Sequence, residues 1–132
     1  MYSVLVCVDT APMPAENQAE AITALPAGEE NVHAIVTHVF EDNPEGASAS
    51  QMQSVRKVIE RFDQAGISHE IVESSGDPVE KLLEQAREHN VDAICVGGRQ
   101  RSPAGKALFG SVAQRILLES DCPTIFVGQN TR

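Results

Sequence analysis

"DAICVGGRQRSPAGKALFGSVAQRILLESDCPTIFVG", residues 92–128, decides the fold. It opens with a short apolar run, DAICVG (92–97), and closes with another, TIFVG (124–128). Between them lie a loop rich in glycine and arginine and an amphipathic run over 111–119, with Val112, Ile116 and Leu117 on one side. Strand, helix, strand in this order reads as a crossover unit, whose strands run parallel with a right-handed connection.

The pattern repeats upstream. SVLVCV (3–8), VHAIVTHV (32–39) and SHEIVE (68–73) are further strand-like runs. The first, fourth and fifth runs are almost continuously apolar, as expected of parallel strands covered on both faces. Helical periods separate them. Residues 47–65 carry Met52, Val55, Val58, Ile59 and Phe62 at spacings of three and four, and 79–89 carry Val79, Leu82, Leu83 and Ala86. Asp77 reads as the N-cap of that third helix, with Pro78 in its first turn. The first helix, about 15–25, has the thinnest stripe, Ala19, Ile22 and Leu25, and Pro26 ends it. Strict alternation predicts an α/β fold: one doubly wound, five-stranded parallel sheet flanked by four helices, a flavodoxin-like three-layer sandwich filling residues 1–132 as a single domain.

Composition narrows the function. The net charge is −9. Residues 93–118 hold no Asp or Glu but carry Arg99, Arg101, Lys106 and Arg115, a local +4 that leaves −13 on the remainder (−9 less +4). An acidic body argues against nucleic acid as a partner, and a basic island within it suits a small anion. Three cysteines, Cys7, Cys95 and Cys122, form no CxxC pair, and the four histidines show no metal-ligand spacing. They read as reduced, structural thiols of a cytoplasmic protein. The N-terminus MYSVLVCVDT has no basic n-region, and no run approaches the length of a membrane span.

In an open α/β sheet, ligands bind beyond the carboxyl ends of the strands, where strand order reverses. The residues closing the strands are Asp9-Thr10, Val39-Phe40, Ser74 to Gly76, and Gly97-Gly98. If the first and fourth strands flank the reversal, Asp9 faces the glycine loop. That loop is not a Walker A motif, because Gly105-Lys106 is followed by Ala107 and Gln100 stands where the leading glycine belongs. Gly110-Ser111 offers another mechanism. Ser111 reads as an N-cap, and the first-turn amides of Ser111, Val112 and Ala113 would hold an anion at the helix N-terminus. Gly97 and Gly98 let backbone approach a ligand, and Arg99, Arg101 and Lys106 can reach phosphate oxygens. A loop of about twelve residues is longer than this connection requires.

Three segments, SVLVCVDT, SSGDPVEKLLEQAREHNVDAICVGGR and ALFGSVAQRILLESDCPTIFVG, together resemble the universal stress protein family over nearly the whole chain. The resemblance implies an adenine nucleotide alpha hydrolase-like fold, dimerisation through the last strand (Thr124 to Gly128), and ATP or AMP as ligand, with or without magnesium. ATP-binding members carry G-x2-G-x9-G-[ST] after the fourth strand. Placed here, the motif begins at Gly97 and ends at Gly110-Ser111, with Gln100 at its middle glycine. The carry-over sets Asp9 and Val39 at the ribose and adenine end and Gly97, Gly110, Ser111 and Val112 at the phosphates. Val8, Val96, Gly98, Arg99 and Arg101 complete the expected site.

The leading expectation is a homodimeric, cytoplasmic nucleotide-binding protein of the stress response with little or no turnover. A nucleotide-free member acting through protein contacts is the alternative raised by Gln100, and a slow ATP hydrolase is a third. A phospho-receiver is excluded, since Asp9 stands without a second acid and the third strand ends in Ser74-Ser75.

Overall fold

The computed structural model describes residues 1–9, 12–26, 31–41, 46, 48–98 and 110–128. The chain runs β1 (Tyr2–Cys7), α1 (Pro12–Thr23), β2 (Val32–Phe40), a single 3-10 turn (Ala49–Gln51), α2 (Gln53–Ala65), β3 (Ser68–Ser75), α3 (Pro78–Glu88), β4 (Ala93–Gly97), α4 (Ser111–Glu119) and β5 (Thr124–Val127). All five strands are parallel, in the order β3-β2-β1-β4-β5. The expected architecture is present, and the order reverses between β1 and β4.

Alternation along the strands builds two cores, because successive side chains point to opposite faces. Val4 and Val6 of β1, with Val32, Ala34 and Val36 of β2, pack under Ala15, Ala19 and Ile22 of α1 and Val55, Val58 and Phe62 of α2. Leu5, Ile35, Ile94 and Val96 meet Val79, Leu82 and Ala86 of α3 and Ala113 and Ile116 of α4 on the other face. The small residues Ala15 and Ala19 let α1 lie close on the sheet, so its thin stripe suffices.

The helix ends follow local chemistry. Asp77 caps α3, its Oδ2 accepting from the Glu80 amide at 2.9 Å, and Pro78 occupies the first turn. α2 stops at Gly66, which adopts φ 72°, while the Ile67 amide reaches back to the Phe62 carbonyl at 2.9 Å. This left-handed turn suits glycine.

Three expectations need correction. The period expected over 47–65 is helical only from Gln53, with Ala49–Gln51 as a separate turn. Ser111 is not an N-cap: Gly110 holds that place, and Ser111 is the first residue of α4. β5 is not covered on both faces, for each residue of Thr124–Val127 is only half-buried at the sheet edge.

Candidate functional site

Above the reversal lies a cavity of about 580 Å³. Its β1 wall is Cys7, Val8 and Asp9, and β2 contributes Thr37 to Phe40, followed by Glu41. Val96 and Gly97 end β4 on the opposite wall, Gly110, Val112 and Ala113 belong to the start of α4, and Met52, Pro78 and Leu82 complete the lining. Expected site residues Val8, Asp9, Val39, Val96, Gly97, Gly110 and Val112 therefore converge from four separate elements.

Gly98 and Ser111 are not in that lining. The Gly98 amide instead donates to the Val127 carbonyl at 2.8 Å, extending the β4–β5 ladder. Ser111 is exposed on the first turn of α4. Arg99 and Arg101, together with Gln100 and Lys106, lie outside the described residues.

The N-termini of α3 and α4 both border this cavity, and they differ. That of α3 is closed by the Asp77 carboxylate. That of α4 begins at Gly110 and has no side-chain cap, leaving its first-turn amides to another acceptor. Among the described lining residues, Asp9 and Glu41 are the carboxylates, and no Lys or Arg joins them. Among the described residues, the uncapped first-turn amides of α4 are the feature of this lining suited to an anion.

Several lining residues were missed in the sequence. His38 is held by donation from Nδ1 to the Val8 carbonyl at 2.7 Å and stands edge-on to Phe40, with ring centroids 4.7 Å apart. Because a carbonyl can only accept, the neutral ring keeps its lone pair on Nε2. Position at the carboxyl end of a strand was the available signal for His38 and Phe40. Thr37 is fully buried and donates to Gln85 Oε1 at 2.7 Å, while Gln85 Nε2 donates to Ser74 Oγ at 3.1 Å. This chain ties β2, α3 and β3 together under the cavity.

Gly97 has a further constraint. A Cβ added there would lie 3.1 Å from Gln18 Oε1 and 3.2 Å from its Cδ, so the space beside this glycine on the α1 side is filled by a glutamine.

The Cys7 and Cys95 thiols are poor nucleophiles. Burial, with the neighbouring Cys95 and Cys122, pushes the Cys7 thiol well up, and burial pushes Cys95 up to about 12 against a hydrogen bond from Gln18. All three cysteines are free. Among the described residues no group of three or more His, Cys, Asp or Glu is placed to hold a metal ion. No described helix is long and apolar enough to cross a membrane.

The family model described as "Universal stress protein family" matches residues 1–128. The chain belongs to the universal stress protein family. Its relatives include a universal stress protein of Mycolicibacterium smegmatis, 38% identical over 74 residues, covering 55% of this chain and 57% of that one. Another is the stress response protein NhaX of Bacillus subtilis, 30% identical over 89 residues, covering 67% and 49%. The chain thus spans about half the length of the curated relatives it matches. Among solved structures, a universal stress protein from Archaeoglobus fulgidus superposes with TM-score 0.77 at 23% identity, covering 96% of this chain and 98% of that one. A universal stress protein in complex with cAMP gives 0.73 at 24%, covering 98% of each chain. The Archaeoglobus fulgidus protein in complex with dAMP gives 0.73 at 20%, covering 96% and 98%. At these identities the likeness bears on the fold, and the five-stranded sheet of this chain agrees with it.

Proposed function

We propose that this chain binds an adenine nucleotide, AMP or ATP, with or without magnesium, in the cavity over the β1–β4 reversal. Binding would act through a change of conformation or assembly, in a cytoplasmic stress response, with little or no turnover. The observation that carries this reading is the convergence of Asp9 and Val39 with Gly97, Gly110 and Val112 around one cavity. The apolar Val39, Leu82 and Val96 suit a purine ring, Asp9 suits ribose hydroxyls, and the uncapped start of α4 suits phosphate. Family relatives of the same fold crystallised with cAMP and dAMP support the ligand class.

Calorimetric titration with AMP and with ATP, each with and without Mg²⁺, tests the reading. Saturable binding weakened by Gly110→Val is the expected result, because a branched side chain there would fill the approach to the α4 amides. Folded protein that gives no heat and no competition with any adenine nucleotide would overturn it. That result would favour the second reading, a nucleotide-free member working through protein contacts. Gln100 at the middle glycine position and the two carboxylates of the lining motivate that reading.

The homodimer belongs to the same proposal. β5 is a half-buried edge, and Leu118 beside it in sequence, on α4, is 78% exposed. An edge of this kind is a template for pairing with a second copy. A monomer by light scattering at micromolar concentration would remove the dimer.

A further inference from the structure

The parallel sheet parts along one seam. β1 stays with β2 past its own end, through the Val8 amide on the Thr37 carbonyl at 2.9 Å, and β4 stays with β5 through the Gly98 amide on the Val127 carbonyl at 2.8 Å. Between β1 and β4 the register runs only from Val4↔Ala93 to Val6↔Cys95. Beyond that pair the two halves of the sheet go separate ways, and their ends form opposite walls of the cavity.

Gln18 of α1 lies in this parting. It is 2% exposed, on a helix face otherwise made of Ala15, Ala19 and Ile22. Its single amide nitrogen donates to the Cys7 carbonyl of one half at 2.9 Å and to the Cys95 carbonyl of the other at 3.3 Å. Both amide hydrogens are therefore used, one on each side of the seam. The same side chain presses on Gly97, whose missing Cβ would meet Gln18 Oε1, Cδ and Cγ at 3.1, 3.2 and 3.4 Å. Hydrogen bonds to both halves, with a further one to Cys95 Sγ at 3.8 Å, pin the amide, so it cannot swing aside without releasing a buried carbonyl.

We infer that Gln18 sets the width of the nucleotide cavity, as a positioning residue that holds the Val8–Asp9 end of β1 at a fixed distance from Gly97 of β4. It acts through backbone and touches no ligand. The inference rests on the nucleotide reading of the cavity. It assigns the glycine at 97 to a partner within the fold: the absent side chain is the space that Gln18 occupies.

A double-mutant cycle on AMP affinity tests it, using wild type, Gln18→Ala, Gly97→Ala and the double variant, each at a temperature where circular dichroism shows it folded. Gly97→Ala is expected to weaken AMP about five- to tenfold with Gln18 present and under about twofold when residue 18 is alanine. Gln18→Ala alone is expected to weaken AMP by a similar factor, since the walls lose their common tie. Wild-type affinity in Gln18→Ala, or losses that simply multiply in the double variant, would overturn the inference. A ligand-free measurement separates it from the nucleotide reading. In Gln18→Met, which keeps length but loses the donor, amide ¹H–¹⁵N shifts are expected to move at Val8 and Asp9 and at Gly97 and Gly98. Changes confined to α1 would overturn the inference, whatever AMP does. Absent AMP binding by wild type would overturn the nucleotide reading, and the shifts would still decide the role of Gln18.

Discussion

The His38 imidazole donates to the Val8 carbonyl at 2.7 Å, fastening the end of β2 to the end of β1 at the cavity wall. The bond carries the β1–β2 connection past the last paired residues of the ladder, Cys7↔Thr37. Replacing His38 with Leu leaves a carbonyl without this donor and is expected to cost about 1 kcal/mol, with Asn, whose amide can stand in for Nδ1, recovering part of the loss. Urea denaturation of the two variants measures the difference. Equal stability of His38→Leu and wild type would show that solvent replaces the ring.

The starts of α3 and α4, at the sheet's carboxyl end, should respond differently. Asp77→Ala is expected to lower stability by about 1 kcal/mol, because the Glu80 amide loses its acceptor. Ser111→Ala should change stability by less than about 0.5 kcal/mol, since Gly110 is the cap residue and Ser111 makes no capping bond. Ser111→Glu separates fold from function: a carboxylate in the first turn is favourable to the helix by about 0.3–1 kcal/mol. It would nonetheless repel a phosphate from the same amides. A variant that is as stable as wild type and binds AMP more weakly is the expected outcome, and undiminished affinity would place the anion elsewhere.

Cys95 predicts the alkaline limit of the fold. Burial raises its folded-state pKa to about 12 from an ordinary 9.0, so the folded chain keeps the proton longer than the unfolded chain. Below about pH 9 both states are protonated and the thiol has no effect on stability. Above it the unfolded state ionises first, and stability falls by up to about 1.4 kcal/mol per pH unit until the folded thiol also titrates. Cys95→Ala should flatten that slope in denaturation curves collected between neutral and strongly alkaline pH. The Cys7 thiol, shifted the same way, contributes in the same direction.

The buried chain Thr37–Gln85–Ser74 is a second polar support beneath the site. Thr37→Val removes the donor to Gln85 Oε1 while keeping the branched shape at a fully buried position, and an unsatisfied buried acceptor costs about 1–3 kcal/mol. Thermal unfolding of Thr37→Val beside a Thr37→Ser control, which keeps the hydroxyl, isolates the hydrogen bond from the packing. A valine variant no less stable than the serine one would show that Gln85 finds another donor.

Local pattern was enough for the architecture. Runs of β-branched residues, helical periods such as Val55, Val58 and Phe62, and the Asp77-Pro78 start of α3 each state a preference that the neighbouring backbone alone enforces. Their alternation then leaves a parallel sheet as the way to bury every stripe, and the glycine spacing marked Gly97 and Gly110, which both line the cavity. Errors of one or a few residues arose where local signals tie. Gly110 and Ser111 are both good caps, and only the path of the chain into α4 chooses between them. The continuous apolar run of β5 reads like a central strand, yet its place at the end of the sheet leaves it half-buried.

Other features had no local signal, because the groups that define them are far apart in the chain. A glutamine amid Ala15, Ala19 and Ile22 interrupts an apolar stripe, and periodicity gives no reason for it. The reason appears only when β1 and β4 separate after Val6↔Cys95 and present carbonyls 77 residues and 11 residues away from Gln18 in sequence. The sequence by itself determined which segments become strands and helices and at which end of the sheet the cavity opens. The tertiary structure decided how wide that end stands open, since the width depends on buried carbonyls finding a donor across a seam that no stretch of chain contains.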